Sequence, residues 1–117
     1  MVKIAASHDG TQVSVFFRDE SVAKMTLDKA KPLTFTEGYR GREARMREYL
    51  EEQKKDDLQG LLREAKESGD VKFSICRDSI KYFGHKVEDL LPEFDEVQSL
   101  EAFWKEEILT AEQVLTF

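Results

Sequence analysis

The stretch Val71-Lys72-Phe73-Ser74-Ile75-Cys76 constrains this chain most. Apolar and polar side chains alternate there with the period of two that a pleated strand requires. No turn residue separates Cys76 from Arg77-Asp78-Ser79-Ile80-Lys81-Tyr82-Phe83, a short helical pattern that Gly84 stops. A buried strand running straight into a helix is the building unit of an α/β domain. The carboxyl end of such a strand faces the crevice in which open α/β sheets bind ligands.

Cys76 stands at that end, and it is the only cysteine. A single thiol excludes an internal disulfide, a CxxC redox pair and a cysteine-rich zinc site. The first turn of a helix favours an anion, so the position suits a thiolate nucleophile. The plain alternative is a cysteine packed as a small hydrophobe. If Cys76 reacts, its second thiol comes from another molecule. Arg77 and Ser79 are candidates to hold an anionic group beside it, against the simpler readings of a solvated arginine and a helix-capping serine. His85, beyond Gly84, falls at the far end of the helix and reads as a surface residue at its C-cap.

The rest of the chain alternates strands and helices. Val2–Ala6 reads as a short strand, Ser7-His8-Asp9-Gly10-Thr11 as a turn, and Gln12–Phe17 as a second strand. The short connection predicts an antiparallel hairpin. Asp19 is placed to cap a helix over 20–27, with Val22 and Met25 inward. Residues 31–38 read as a loop broken by Pro32. Between Tyr39 and Ser68 two apolar patches, Met46/Tyr49/Leu50 and Leu58/Leu61/Leu62/Ala65, predict two helices or one broken helix, with Asp56 and Gln59 as a capping box. Glu96–Gln98 is a brief strand, and Ser99 caps a helix to about Leu109 with Leu100, Phe103, Trp104 and Ile108 inward. Residues 112–117 read as a closing strand whose loss would destabilise the fold. The remaining aromatic residues, Phe35, Tyr82, Phe83 and Phe94 among them, read as core or subunit interface.

One domain over residues 1–117 accommodates this pattern, a mainly parallel α/β sheet with helix cover. Residues 1–85 hold 16 Lys/Arg against 15 Asp/Glu, and residues 86–117 hold 2 against 9. That distribution argues against nucleic acid as a partner, which needs clustered positive charge. A local basic cluster, Arg40, Arg42, Arg45 and Arg47, makes Arg42 a further candidate for anion or acidic-partner binding; pairing with Glu48 and Glu52 is its plain alternative. No apolar stretch is long enough for a membrane span and no signal-peptide layout opens the chain, so a cytoplasmic protein is expected. No cofactor and no metal is expected either.

The strand ending in Cys76, the helix stopped by Gly84, the sequence Glu88-Asp89-Leu90-Leu91, the Ser99–Leu109 helix and the closing Gln113-Val114-Leu115-Thr116-Phe117 together resemble the DsrE/DsrF-like proteins, which include TusD-type subunits of bacterial sulfur relays. Val13-Ser14-Val15-Phe16-Phe17 followed by Asp19 is similar to that family's second strand and turn. The resemblance implies a small oligomerising α/β domain in which the cysteine at the position of Cys76 carries sulfane sulfur as a persulfide and passes it to a partner protein's thiol. It also implies a long crossover helix after the first strand. Only Ser7–Thr11 stand there, so a hairpin, or completion of the sheet by another subunit, is expected instead. Two other function classes remain: a non-catalytic homo-oligomeric assembly module with an inert buried Cys76, and a small-anion binder using Arg77 and the arginine cluster.

Overall fold

The computed structural model describes residues 1–8, 10–30, 41–54 and 57–116. Its centre is a three-stranded sheet in the order β1 (Gln12–Phe17), β2 (Asp70–Cys76), β3 (Glu96–Gln98), with both pairs parallel. Helices flank it: α1 (Val2–Ala6), α2 (Glu43–Glu52), α3 (Leu58–Glu67), α4 (Arg77–Tyr82) and α5 (Leu100–Phe103), the last running on into a π turn over Trp104–Ile108. A 3₁₀ turn over Asp19–Lys24 follows β1. This is the small, mainly parallel α/β sheet that the alternating pattern predicts.

Register assigns each side chain to a face. Val13 pairs with Val71, Val15 with Phe73, Phe17 with Ile75, and Ile75 in turn with Val97. All seven point to one side, because residues opposite each other in a parallel pair share a face. There they meet Val22 and Met25 from the 3₁₀ turn and its end, Leu62 from α3, Ile80 from α4, and Leu91. Phe17 packs edge-on against Phe73 at 5.7 Å and Phe94 at 5.3 Å between ring centroids. Phe73 and Ile75 are wholly buried in this layer. The other face is polar, and the candidate site lies there.

The N-terminus departs from the expected hairpin. Val2–Ala6 is helical, and β1 pairs only in parallel, with β2. A five-residue apolar run suits a helical turn as well as a strand. The helix buries Ala6 and packs on α3 and the start of β1. Gly69 permits this, because a Cβ there would lie 2.0 Å from the Ala6 carbonyl oxygen.

Asp19 does not cap the 3₁₀ turn. It adopts a left-handed φ of 54°, which a short polar side chain tolerates, and its carboxylate pairs with Arg18 at 2.9 Å. Val22 and Met25 are inward as expected. The long charged segment forms two helices, but α2 buries none of its residues, Tyr49 included. Asp56, Pro32, Phe35, Tyr39 and Arg40 lie outside the described residues. Leu58 opens α3 behind Asp57, whose side chain makes no capping bond.

Ser99 caps α5 as predicted, its hydroxyl accepting from the Ala102 N–H at 3.1 Å. Phe103 is buried, whereas Leu100 and Trp104 are exposed. The sheet presents only a narrow surface to this helix, and the stripe of Phe103, Glu106 and Glu107 takes it. Residues 113–116 form no strand, and Val114 and Leu115 are exposed. The edge strand β3 is three residues long, too short to template a further strand.

Candidate functional site

Turned away from the core are Ser14 and Phe16 of β1, Lys72, Ser74 and Cys76 of β2, and Glu96 and Gln98 of β3. The C-terminal helix packs on this face at Ser14, Phe16, Lys72 and Gln98. Phe103 stacks on Phe16 with ring centroids 4.5 Å apart. The π turn then brings two consecutive carboxylates down to the sheet. Glu107 accepts from the Ser14 hydroxyl at 2.8 Å and from Lys72 Nζ at 3.1 Å. Glu106 accepts from Gln98 Nε2 at 2.8 Å. On the sheet itself Lys72 pairs with Glu96 at 2.6 Å. The bond to Glu96 and then that to Glu107 push Lys72 above the ordinary lysine range, against the opposing pull of partial burial.

Cys76 is the last residue of β2 and the N-cap of α4, and it is buried at 7% exposure. Its register partner is Gln98. Ser74 precedes it on the same face. Both neighbours are buried, and among the described residues the Ser74 hydroxyl and the Gln98 Oε1 have no hydrogen-bond partner. An unpaired buried polar atom costs about 1–3 kcal/mol, so two beside one thiol require a reason.

The sequence-derived site residues fall in different places. Ser79 is buried on α4, where its hydroxyl accepts from the Asp19 backbone N–H at 2.9 Å and so ties the helix to the 3₁₀ turn. Arg77 is exposed on the first turn of α4, one residue from the thiol. Arg42 is the N-cap of α2 and exposed; no hydrogen bond or ion pair joins it to Cys76, Arg77 or Ser79 among the described residues. His85 follows Gly84, whose φ of 69° ends α4, and its ring stacks on Phe83 at 6.2 Å. A shallow cleft of about 410 Å³ lies at the amino ends of β1 and β2, lined by Ser7, His8, Thr11 and Asp70 among others. It is at the opposite end of the sheet from Cys76.

Ser74 and Gln98 escaped the sequence reading, although the alternation of Lys72, Ser74 and Cys76 with Val71, Phe73 and Ile75 carries the signal. Polar residues at every second position of a strand mark a second face chemically distinct from the core.

With the sole cysteine placed at the end of the central strand, the DsrE/DsrF-like family model matches the chain over residues 1–117. The chain belongs to the DsrE/DsrF-like family. That family is generally associated with sulfur relay. A comparison with curated proteins finds no match. No group of three or more His, Cys, Asp or Glu side chains converges among the described residues, and no helix there is long and apolar enough to cross a membrane.

Proposed function

We propose that this DsrE/DsrF-like protein is a sulfur carrier in which Cys76 takes up sulfane sulfur as a persulfide and hands it to the thiol of a partner protein. The observation that supports this reading best is the placement of the sole cysteine at the end of β2 and the start of α4, on the polar face of the sheet. Uptake is an exchange without net oxidation. The Cys76 sulfur attacks the outer sulfur of a donor hydropersulfide, an S–S bond forms to Cys76, the donor's S–S bond breaks, and the donor leaves as a thiolate that takes up the proton Cys76 has lost. Delivery repeats the step with the acceptor thiol as nucleophile. The carrier therefore needs one cysteine and no cofactor. In this reading it acts in a reducing, cytoplasmic compartment as a homo-oligomer, and Arg77 faces the negative charge that the donor brings.

The burial of Cys76 favours one other reading, an assembly module of the same fold in which the thiol is inert packing. Intact mass decides between them. Incubation of the folded protein with glutathione persulfide adds about 32 Da per sulfur to a carrier, and the addition disappears in Cys76→Ser. An assembly module gains nothing and reacts with alkylating reagents only after unfolding.

A further inference from the structure

The polar face of the sheet is paired almost throughout. Ser14, Lys72, Glu96, Glu106 and Glu107 all make hydrogen bonds or ion pairs with one another or with Gln98 Nε2. The exceptions on this face, among the described residues, are two atoms, Ser74 Oγ and Gln98 Oε1, on residues 0% and 3% exposed. One belongs to the residue two before Cys76 on the same strand face, the other to its register partner across β3. The amide orientation is fixed by chemistry. Gln98 Nε2 donates to the Glu106 carboxylate, and the reversed amide would set two acceptors against each other. The unpartnered atom is thus an acceptor, while the Ser74 hydroxyl can donate as well as accept.

We propose that Ser74 and Gln98 are positioning residues that seat the terminal sulfur of a Cys76 persulfide, an inference that rests on the carrier reading above. The Ser74 O–H donates to the sulfur when it is the anion; Gln98 Oε1 accepts from the S–H when it is protonated. The two polar atoms left unpaired on this face of the sheet match the two protonation states of the group to be carried; the third buried unpaired atom among the described residues, His85 Nε2, lies past the far end of α4. The seat holds sulfur between donor and acceptor in either state, and no new bond beyond the Cys76 S–S bond is formed or broken.

The test loads the full-length protein with glutathione persulfide, removes the donor, and follows the loss of the added sulfur by intact mass in the presence of glutathione. Ser74→Ala shortens the lifetime of the loaded form about ten- to a hundredfold at the alkaline end of the stable pH range, the effect of one hydrogen bond to a charged group. Gln98→Met shortens it at the acid end instead. Ser74→Thr, which keeps the hydroxyl, restores the wild-type lifetime. The titratable groups around the seat are Lys72 and Glu96 on the sheet, Glu106 and Glu107 on the π turn, and Arg77 and Asp78 on α4. None of these residues is substituted in the two variants, but Gln98→Met removes the amide that donates to Glu106. Glu106→Gln, which drops that carboxylate and keeps an acceptor for Gln98 Nε2, is the control and retains the wild-type lifetime, so the opposite pH dependence of the two variants carries the result. Unloaded Ser74→Ala is at least as stable as wild type in urea, because an unpaired hydroxyl is removed. Equal lifetimes in all variants, or loss of stability in Ser74→Ala, overturn the seat while leaving the carrier reading standing. A wild-type protein that takes up no sulfur overturns both.

Discussion

Each strand of the sheet separates two unlike environments. Towards α3 and the 3₁₀ turn, β2 presents Val71, Phe73 and Ile75 to a continuous apolar layer. Towards the C-terminal helix it presents Lys72, Ser74 and Cys76 to a layer of carboxylates, a stacked aromatic pair and two unpartnered polar atoms. The first face has nothing to do but stay closed. The second gives up the stability that apolar packing would provide and gains charged and hydrogen-bonding groups around a thiol. Stability and chemistry are thereby separated across the thickness of one strand, so a substitution on one face leaves the other largely readable.

The largest expected effect is on the apolar face. Phe73→Ala, which removes a wholly buried ring packed on Phe17, costs about 3–5 kcal/mol in urea unfolding. Gly69→Ala comes next. Its methyl group would overlap the Ala6 carbonyl, so α1 must shift, and a loss of about 1–3 kcal/mol is expected together with faster amide exchange in residues 2–6. A cost for Gly69→Ala above that of Phe73→Ala would show that α1, not the sheet, anchors the core.

A third test uses pH at the start of β3. Partial burial works to raise the Asp95 pKa, but hydrogen bonds from Lys66 and from the Phe73 N–H outweigh it and hold the carboxyl below its usual range. A depressed folded pKa stabilises the fold above the unfolded value of about 3.9 and is lost as pH falls through the lower folded value. Wild type is therefore more stable than Asp95→Asn at pH near neutrality, and the difference closes on acidification through that window. A difference independent of pH would assign the effect to geometry alone. The smallest effect is at the chain end: replacing exposed Val114 and Leu115 by Ser changes stability by no more than about 0.5 kcal/mol. A larger loss would mean that these residues are covered in an assembly.

Which elements were legible in the sequence follows the same division. The strands Gln12–Phe17, Asp70–Cys76 and Glu96–Gln98, the break before Leu58 and the Ser99 cap all announce themselves through alternation, helical spacing or a capping side chain. These are local signals that the packing then respects. Val2–Ala6 and residues 113–116 do not, because short apolar runs take whichever structure a neighbour permits: a glycine at position 69 admits a helix, and a three-residue β3 offers no edge for another strand. Leu100 and Trp104 read as core because the helical stripe ignores how narrow the covered face is. Cys76 was legible as a strand-end thiol. Its neighbours on the sheet, Ser74 and Gln98, were not, since the second depends on a register between strands that no local pattern encodes.

The carrier reading meets its most direct test in intact mass of the folded protein after glutathione persulfide. A gain of about 32 Da, confined to Cys76, absent from Cys76→Ser and discharged by an added thiol, is the result expected. A folded protein that gains no sulfur, and whose thiol reacts only once the chain is unfolded, would contradict it.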